Sequence, residues 1–476
     1  MGLVGGITTT LAPAAKKMTL ATNYLNFNDG SGNDFAQQYL PELYEAEVER
    51  YGNRTVSGFL KMVGAEMPMT SDQVIWSEQS RLHIAYEGVV TDGDTITLNI
   101  EDGKECVLKV GNTIVINGTA GTLKAKVDSV GTASGTAPSR TAAVDVSTYQ
   151  SADLTTGGTG GIFTAADAIK IFVYGSEFGK GSDVKLASIE PDFQTFSNKP
   201  IIIRDTFVIN GSDTAQIGWV EVATENGQSG YLWYLKSEAE TRLRFEDYLE
   251  MTMIEAEKKG TNGSVDVDGT EGLFAAIESR GHVMNDFVAS GSGSAAVADF
   301  DEILKQLDKE GGIEENMLFA NRVLNLRFDD MLGSINNGYG AGAGVGASYG
   351  VFNNDSDMSL NLGFTGFRRG SYDFYKTDWK YLNDASTRGN IGDIEGVLIP
   401  AGTSTVYDQT LGSNIRRPFL HTRYRASEAD DRRMKTWTTG SVGAQTSALD
   451  AMELHFLSER CLCVQGANNF VLFTDN

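Results

Sequence analysis

Cysteine, proline, histidine and basic charge are all scarce in this 476-residue chain, and each shortage removes a class of protein. Only Cys106, Cys461 and Cys463 carry thiols. So odd and sparse a set builds no disulfide framework and reads as a protein of the reducing cytosol. The four histidines, His83, His282, His421 and His455, are scattered, and neither H-E-x-x-H nor G-x-x-x-x-G-K-S/T occurs. Lys and Arg number 39 against 63 Asp and Glu, a net charge of −24. That balance argues against nucleic-acid binding as the main activity, because phosphate affinity comes from clustered cations. Apolar runs such as Ile201-Ile202-Ile203 fall far short of the ~20 residues that span a bilayer. Lys16 and Lys17, the first charges, follow a weakly apolar stretch instead of preceding it, so no secretory signal is expected. Gly6 stands where a myristoylation signal needs Ser or Thr.

Hydrophobic residues make up 41% of the chain and charged residues 21%, an ordinary globular composition with length for about three domains. With eight prolines against 54 glycines, turns are expected at Gly, Asn and Asp. Aromatics vanish between Tyr86 and Tyr149. In their place come short alternating runs: Thr95 to Ile100, Val107 to Val110 and Thr113 to Ile116, separated by Asp92-Gly93, Asp102-Gly103 and Asn117-Gly118. This spacing predicts a small all-β domain inserted at 88–188. Leu82, Ile84 and Tyr86 alternate on the way in, and Ile201, Ile203, Phe207 and Ile209 on the way out. The two segments are expected to pair as an extended arm, 61–87 with 189–218.

Leu232, Leu235, Ala239, Leu243, Leu249 and Met253 form an apolar stripe that predicts a helix over 230–259, stopped by Gly260. At ~1.5 Å per residue it would be a rod of roughly 45 Å. Glu238–Arg242, Glu240–Arg244 and Glu255–Lys259 are spaced to pair along it. Asp299 with Glu302 resembles a capping box opening a helix that Gly311-Gly312 closes. A buried strand is expected at 317–319, a helix at 323–332 and an exposed loop at 333–350. Strands are expected at 372–381, 396–400, 461–464 and 470–473.

No nucleophile carries a local catalytic signature, so no enzyme activity and no cofactor is expected. Cys461-x-Cys463 with His455 offers three ligands where a structural zinc wants four; two small buried strand residues are the alternative, and no metal is expected. Residues 415–435 carry seven cations, including Arg416, Arg417, Arg423 and Arg425, and only three acids, Glu428, Asp430 and Asp431. Arginine forks suit carboxylates of a neighbouring subunit, nucleic acid, or acids of the same chain.

Taken in order, these elements resemble the major capsid proteins of tailed double-stranded DNA bacteriophages, with the Hong Kong 97 fold. The resemblance rests on Asp34 to Glu42 in an N-terminal arm (1–60), on Asn198 to Ile209 as an arm's return strand, and on the helix 230–259 as a spine. Glu271 to Ile277 resembles the start of the axial domain, Gly366 to Tyr375 its late strands, and Leu457 to Phe473 the closing strands. It implies an α+β fold divided into the arm, 61–87 with 189–218 as β-arm, the insertion at 88–188, 219–267 as spine and peripheral domain, 268–450 as axial domain and 451–476 as closing strands. By the same likeness, subunits would form hexamers and pentamers of an icosahedral head assembled in the host bacterial cytoplasm. The head would enclose genomic DNA without sequence-specific binding, with a portal, auxiliary head proteins and a separate scaffold as partners and no membrane. Trp76, Tyr86, Phe207 and Arg204 are the expected inter-subunit contacts of the arm, since buried aromatics dominate interface energy; Arg416, Arg417, Arg423 and Arg425 are added from the cationic run. A β-rich binding module or surface adhesin, or the shell of an encapsulin-like nanocompartment, are the alternatives.

Overall fold

The structure is a computed structural model that describes residues 58–60, 65–79, 82–136, 140–158, 160–181, 188–189, 193–212, 221–223, 229–287, 293–338, 366–408, 413–442 and 445–475. The expected N-terminal arm up to 57 and the loop beyond 338 lie outside them. The chain divides into two compact units, Ser77–Phe196 and the remainder.

Strand β1 (Ala65–Met69) precedes the smaller unit, and the paired strands β2 (Val74–Gln79) and β9 (Phe193–Asn198) run across its two ends. The smaller unit holds β3 (Ala85–Val90), β4 (Thr95–Asn99), β5 (Asn112–Gly118), β6 (Gly121–Val130), β7 (Thr141–Thr148) and β8 (Ala168–Ser176). They close into an antiparallel barrel, β3-β4-β7-β6-β5-β8. Alternation by two sends Ile96, Leu98, Ile114, Ile116, Val127, Val144, Val146, Ile169 and Ile171 inward. Small branched side chains fill so narrow an interior, and Phe163 is the one aromatic fully buried there. Gly88 lets β3 approach β4, since a Cβ at 88 would lie 2.2 Å from the Thr97 carbonyl oxygen. The insertion is thus an all-β module, with two corrections. Residues 107–110 form no strand; the Val107 N–H donates to Tyr86 Oη at 3.0 Å while Leu108 is buried in the barrel core. The hairpin after β5 turns at Thr119-Ala120, because Gly118 and Gly121 are themselves paired.

The larger unit continues with β10 (Ile201–Asn210), the hairpin β11 (Glu221–Ala223) and β12 (Ser229–Tyr231), and α1 (Leu232–Glu255). Then come α2 (Leu273–Arg280), β13 (His282–Asn285), α3 (Gly293–Glu310), β14 (Glu315–Ala320), α4 (Arg322–Gly338), β15 (Gly366–Arg369), β16 (Tyr372–Asp378) and α5 (Lys380–Asn383). The last strands are β17 (Ile394–Pro400), β18 (Thr403–Asp408), β19 (Ser413–Pro418), β20 (Leu420–Arg425), β21 (Lys435–Gly440), β22 (Ala451–Val464) and β23 (Val471–Thr474).

Two sheets organise this unit. In the first, β1-β20-β22-β10 lie in order and β21 also pairs with β22. The expected pairing of β10 with residues 82–86 is therefore wrong: β10 takes ten partners from β22, Ile201 opposite Arg460 through Asn210 opposite Ala451. Residues 85 and 86 belong to the barrel instead. Helix α1 packs on this sheet through Phe245, 5.7 Å from Phe456, and through Arg244, 3.0 Å from Asp205. It is 24 residues long and ends at Glu255, so the expected Glu255–Lys259 pair has no helical turn to span; Glu255 is held by Arg388 at 2.7 Å and by the Tyr381 hydroxyl at 2.5 Å. Arg242 pairs forward with Glu246 at 3.5 Å.

The second sheet runs β13-β23-β17-β14-β16-β15. Helices α3 and α4 bury Phe300, Ile303, Leu307 and Phe328 with Phe367, Phe374 and Phe473. A separate cluster joins α2 to Phe319, Val397, Leu472 and Trp379. Phe59 is stacked 4.3 Å from Trp379, and the Glu250 carboxylate accepts the Gly58 and Phe59 N–H groups at 2.6 and 3.2 Å. Helix α3 starts at Gly293, so Asp299 lies inside it and not at its N-cap; the Ala-rich stretch before it is already helical. Its end is as expected: Gly311 is left-handed at φ 68°, with Gly312 N–H to Leu307 O at 2.7 Å. Helix α4 runs to Gly338, into the stretch expected to be loop.

Two outcomes are expected. Replacing 82–188 by a short Gly-Ser linker, with β2 and β9 kept, leaves the larger unit folded and its unfolding midpoint within a few degrees; loss of its circular-dichroism transition would contradict the division into units. Burial and the hydrogen bond to Asp308 (2.7 Å) push the Tyr372 phenol up to about 12. The unfolded value is about 10, so this stabilisation is complete below pH 10 and is lost as pH rises through about 12. Tyr372→Phe should flatten the fall of the melting temperature between those values.

Candidate functional site

The residues expected to meet neighbouring subunits fall into two groups. Trp76, in β2, is 8% exposed, and the Arg280 guanidinium lies 5.9 Å from its ring centroid. Tyr86, in β3, packs against the barrel core and accepts the Val107 N–H; burial pushes its phenol up. Both aromatics thus have neighbours within their own chain. Phe207 is half-buried on β10 opposite Leu454. Arg204 is exposed on the same strand, between exposed Ile202 and Thr206.

The arginine run is likewise largely internal. Arg423 donates to the Pro68 carbonyl at 3.3 Å, and Arg425 pairs with Asp72 and, at 3.2 Å, with Glu459. Arg432 reaches Glu459 at 2.9 Å, Arg433 reaches Glu66 at 2.5 Å and Lys435 reaches Asp430 at 2.6 Å. The cause is topological: β1 runs parallel to β20 and brings Glu66, Pro68 and Asp72 alongside, while β22 supplies Glu459. Buried Arg460 joins the group at 3.4 Å from Glu66, its guanidinium drawn down by burial. Arg416 and Arg417 lie in β19, opposite Thr405 and Ser404; their side chains lie outside the described residues.

Cys461 and Cys463 are both buried in β22. Their thiol–thiol hydrogen bond, with burial, pushes the Cys461 thiol up. His455 lies six residues away, about 20 Å along a strand, and is engaged by Thr439 Oγ1 at 2.7 Å and by the Trp437 ring at 5.0 Å. It cannot share an ion with the thiols. His421 is the histidine placed opposite Cys463, a pairing that no local spacing signals. Among the described residues, no three His, Cys, Asp or Glu side chains are grouped to hold a metal.

No family model and no curated protein matches the chain. Matches among solved structures number 138 chains. One from Microbacterium phage Oxtober96 is 9% identical, with 94% of this chain and 100% of that one covered and a TM-score of 0.41. A chain from Gordonia phage Cozz is 10% identical over 97% and 99%, with a TM-score of 0.41. A chain of the capsid of the cyanophage P-SCSP1u is 11% identical over 63% and 80%, with a TM-score of 0.35.

Glu459→Ala leaves two half-buried arginines without their shared carboxylate and should cost about 3 kcal/mol in urea unfolding. Asp72→Ala, at an 88% exposed side chain, should cost no more than about 0.5 kcal/mol. Equal effects would mean that Glu459 is no better shielded than Asp72.

Proposed function

We propose that the chain is the repeating structural subunit of a closed protein shell, a major capsid protein of the tailed-bacteriophage, Hong Kong 97 type. The observation that supports this reading is the order and packing of its elements. A long helix lies on a sheet, a separate α/β layer follows, and the closing strands β22 and β23 run through both sheets. That is the succession of spine, peripheral sheet and axial domain that the sequence resemblance implies. The excess of acids suits a wall that encloses DNA without binding it. In this reading subunits meet in rings that close, as heterologous contacts around an axis do, forming hexamers and pentamers with exposed Arg204 at a subunit contact. A portal, auxiliary head proteins and a separate scaffold are the partners. A nanocompartment shell would use the same subunit around a cargo enzyme in place of a genome.

Sedimentation velocity with negative-stain microscopy on the purified chain, alone and co-expressed with the candidate scaffold from the same genome, tests the reading. Closed shells or discrete five- and six-membered rings are expected, and Arg204→Glu should reduce their yield while leaving the subunit's melting temperature unchanged. A monomer under both conditions at high concentration would overturn it.

A further inference from the structure

The barrel wears its aromatics on the outside. Of the six aromatic residues between Tyr86 and Phe178, Phe163 fills the core and Tyr86 packs against it, whereas Tyr149 (47%), Phe172 (50%), Tyr174 (49%) and Phe178 are exposed. Single exposed aromatics are ordinary; Tyr149 and Tyr174 differ in lining one groove together. Phe172 and Tyr174 alternate on the outer face of β8. Beside Tyr174 opens a shallow groove of about 460 Å³ lined by Thr113, Lys124, Tyr149, Ser176 and Glu177. Within it the Lys124 ammonium lies 5.8 Å from the Tyr174 ring centroid, and the Tyr149 hydroxyl donates to Glu177 at 2.5 Å. That bond leads the causes pushing the Tyr149 phenol up to about 12.

We propose that this groove binds a neutral oligosaccharide. The chemistry of the lining selects that class. Aromatic faces carry the negative lobe of the ring quadrupole and attract the weakly positive C–H face of a pyranose. A carboxylate, an ammonium and hydroxyls at the rim supply the acceptors and donors that sugar hydroxyls need. A phosphate polymer is disfavoured, because residues 77–196 hold 15 acids against nine bases and Glu177 stands beside the one lysine of the groove. A wholly apolar partner is disfavoured by the same charged rim. The proposal does not rest on the shell reading.

The test is saturation-transfer NMR and titration calorimetry on the full chain, with cellotetraose, maltotetraose and chitotetraose as separate probes. Saturable binding of at least one, with a dissociation constant on the order of 1 mM, is expected. Tyr174→Ala should weaken it roughly tenfold or more, and Tyr149→Phe should weaken it less. Both variants should keep the melting temperature, because both rings are about half exposed. Absence of saturable binding by all three probes, or binding unchanged in a folded Tyr174→Ala, would overturn the proposal. So would sugar-independent self-association that the same substitution abolishes, since the patch would then belong to a second copy of the chain.

Discussion

The larger unit depends on one strand. β22 is 14 residues long, and nearly all of its backbone donors and acceptors lie away from water, where an unpaired group is costly. One edge is satisfied by β10 over ten residues; the other is shared by β21 and then β20. Every other strand of the first sheet is placed relative to it, and α1 takes its position from the face that β22 and β10 present. Phe456 on β22 meets Phe245, and Asp205 on β10 meets Arg244.

The same strand gathers the charges. Glu459 lies between Arg425 and Arg432, and Arg460 projects to Glu66. A chain at −24 has few cations to spare, and those of the 423–435 run are largely occupied by its own acids. The surfaces proposed to meet other molecules set a few charges among apolar and aromatic groups. Ile202 and Arg204 on β10 are one such surface, and the aromatic groove of the barrel is another.

What the sequence discloses follows the range of the interactions. The barrel is legible because all its pairings close within one run of the chain, residues 85–176: alternation by two and glycine turns at short intervals leave few other ways to bury Ile96, Ile114 and Val144. Helix α1 is legible in its extent more than in its face: Leu249 and Met253 are buried as the stripe implies, but Ala239 and Leu243 are exposed and Phe245 and Ile254 are buried instead. Helix ends are less legible, because Glu255 and Asp299 look like local pairing and capping residues until Arg388, Tyr381 and a helix already begun at Gly293 are seen. The partner of β10 was hidden, since both Leu82 to Tyr86 and Leu454 to Arg460 offer it a suitable alternating face. The neighbours of Trp76 and Arg423 within the chain are hidden for the same reason: Arg280 and Pro68 lie hundreds of residues away, and nothing near them announces the contact.

The position of β22 and β23 in the chain has a kinetic consequence. Both are interior strands of their sheets, yet both are translated after every strand they pair with. On the ribosome β10, β20, β13 and β17 must wait, with open edges and exposed apolar faces, for neighbours made last. The barrel, complete by Ser176 and paired wholly within residues 85–176, can fold while the remainder is still being synthesised. Biosynthesis thus orders the two units in time, and a nascent chain cut short before Ala451 would carry a finished barrel beside two sheets lacking their interior strands.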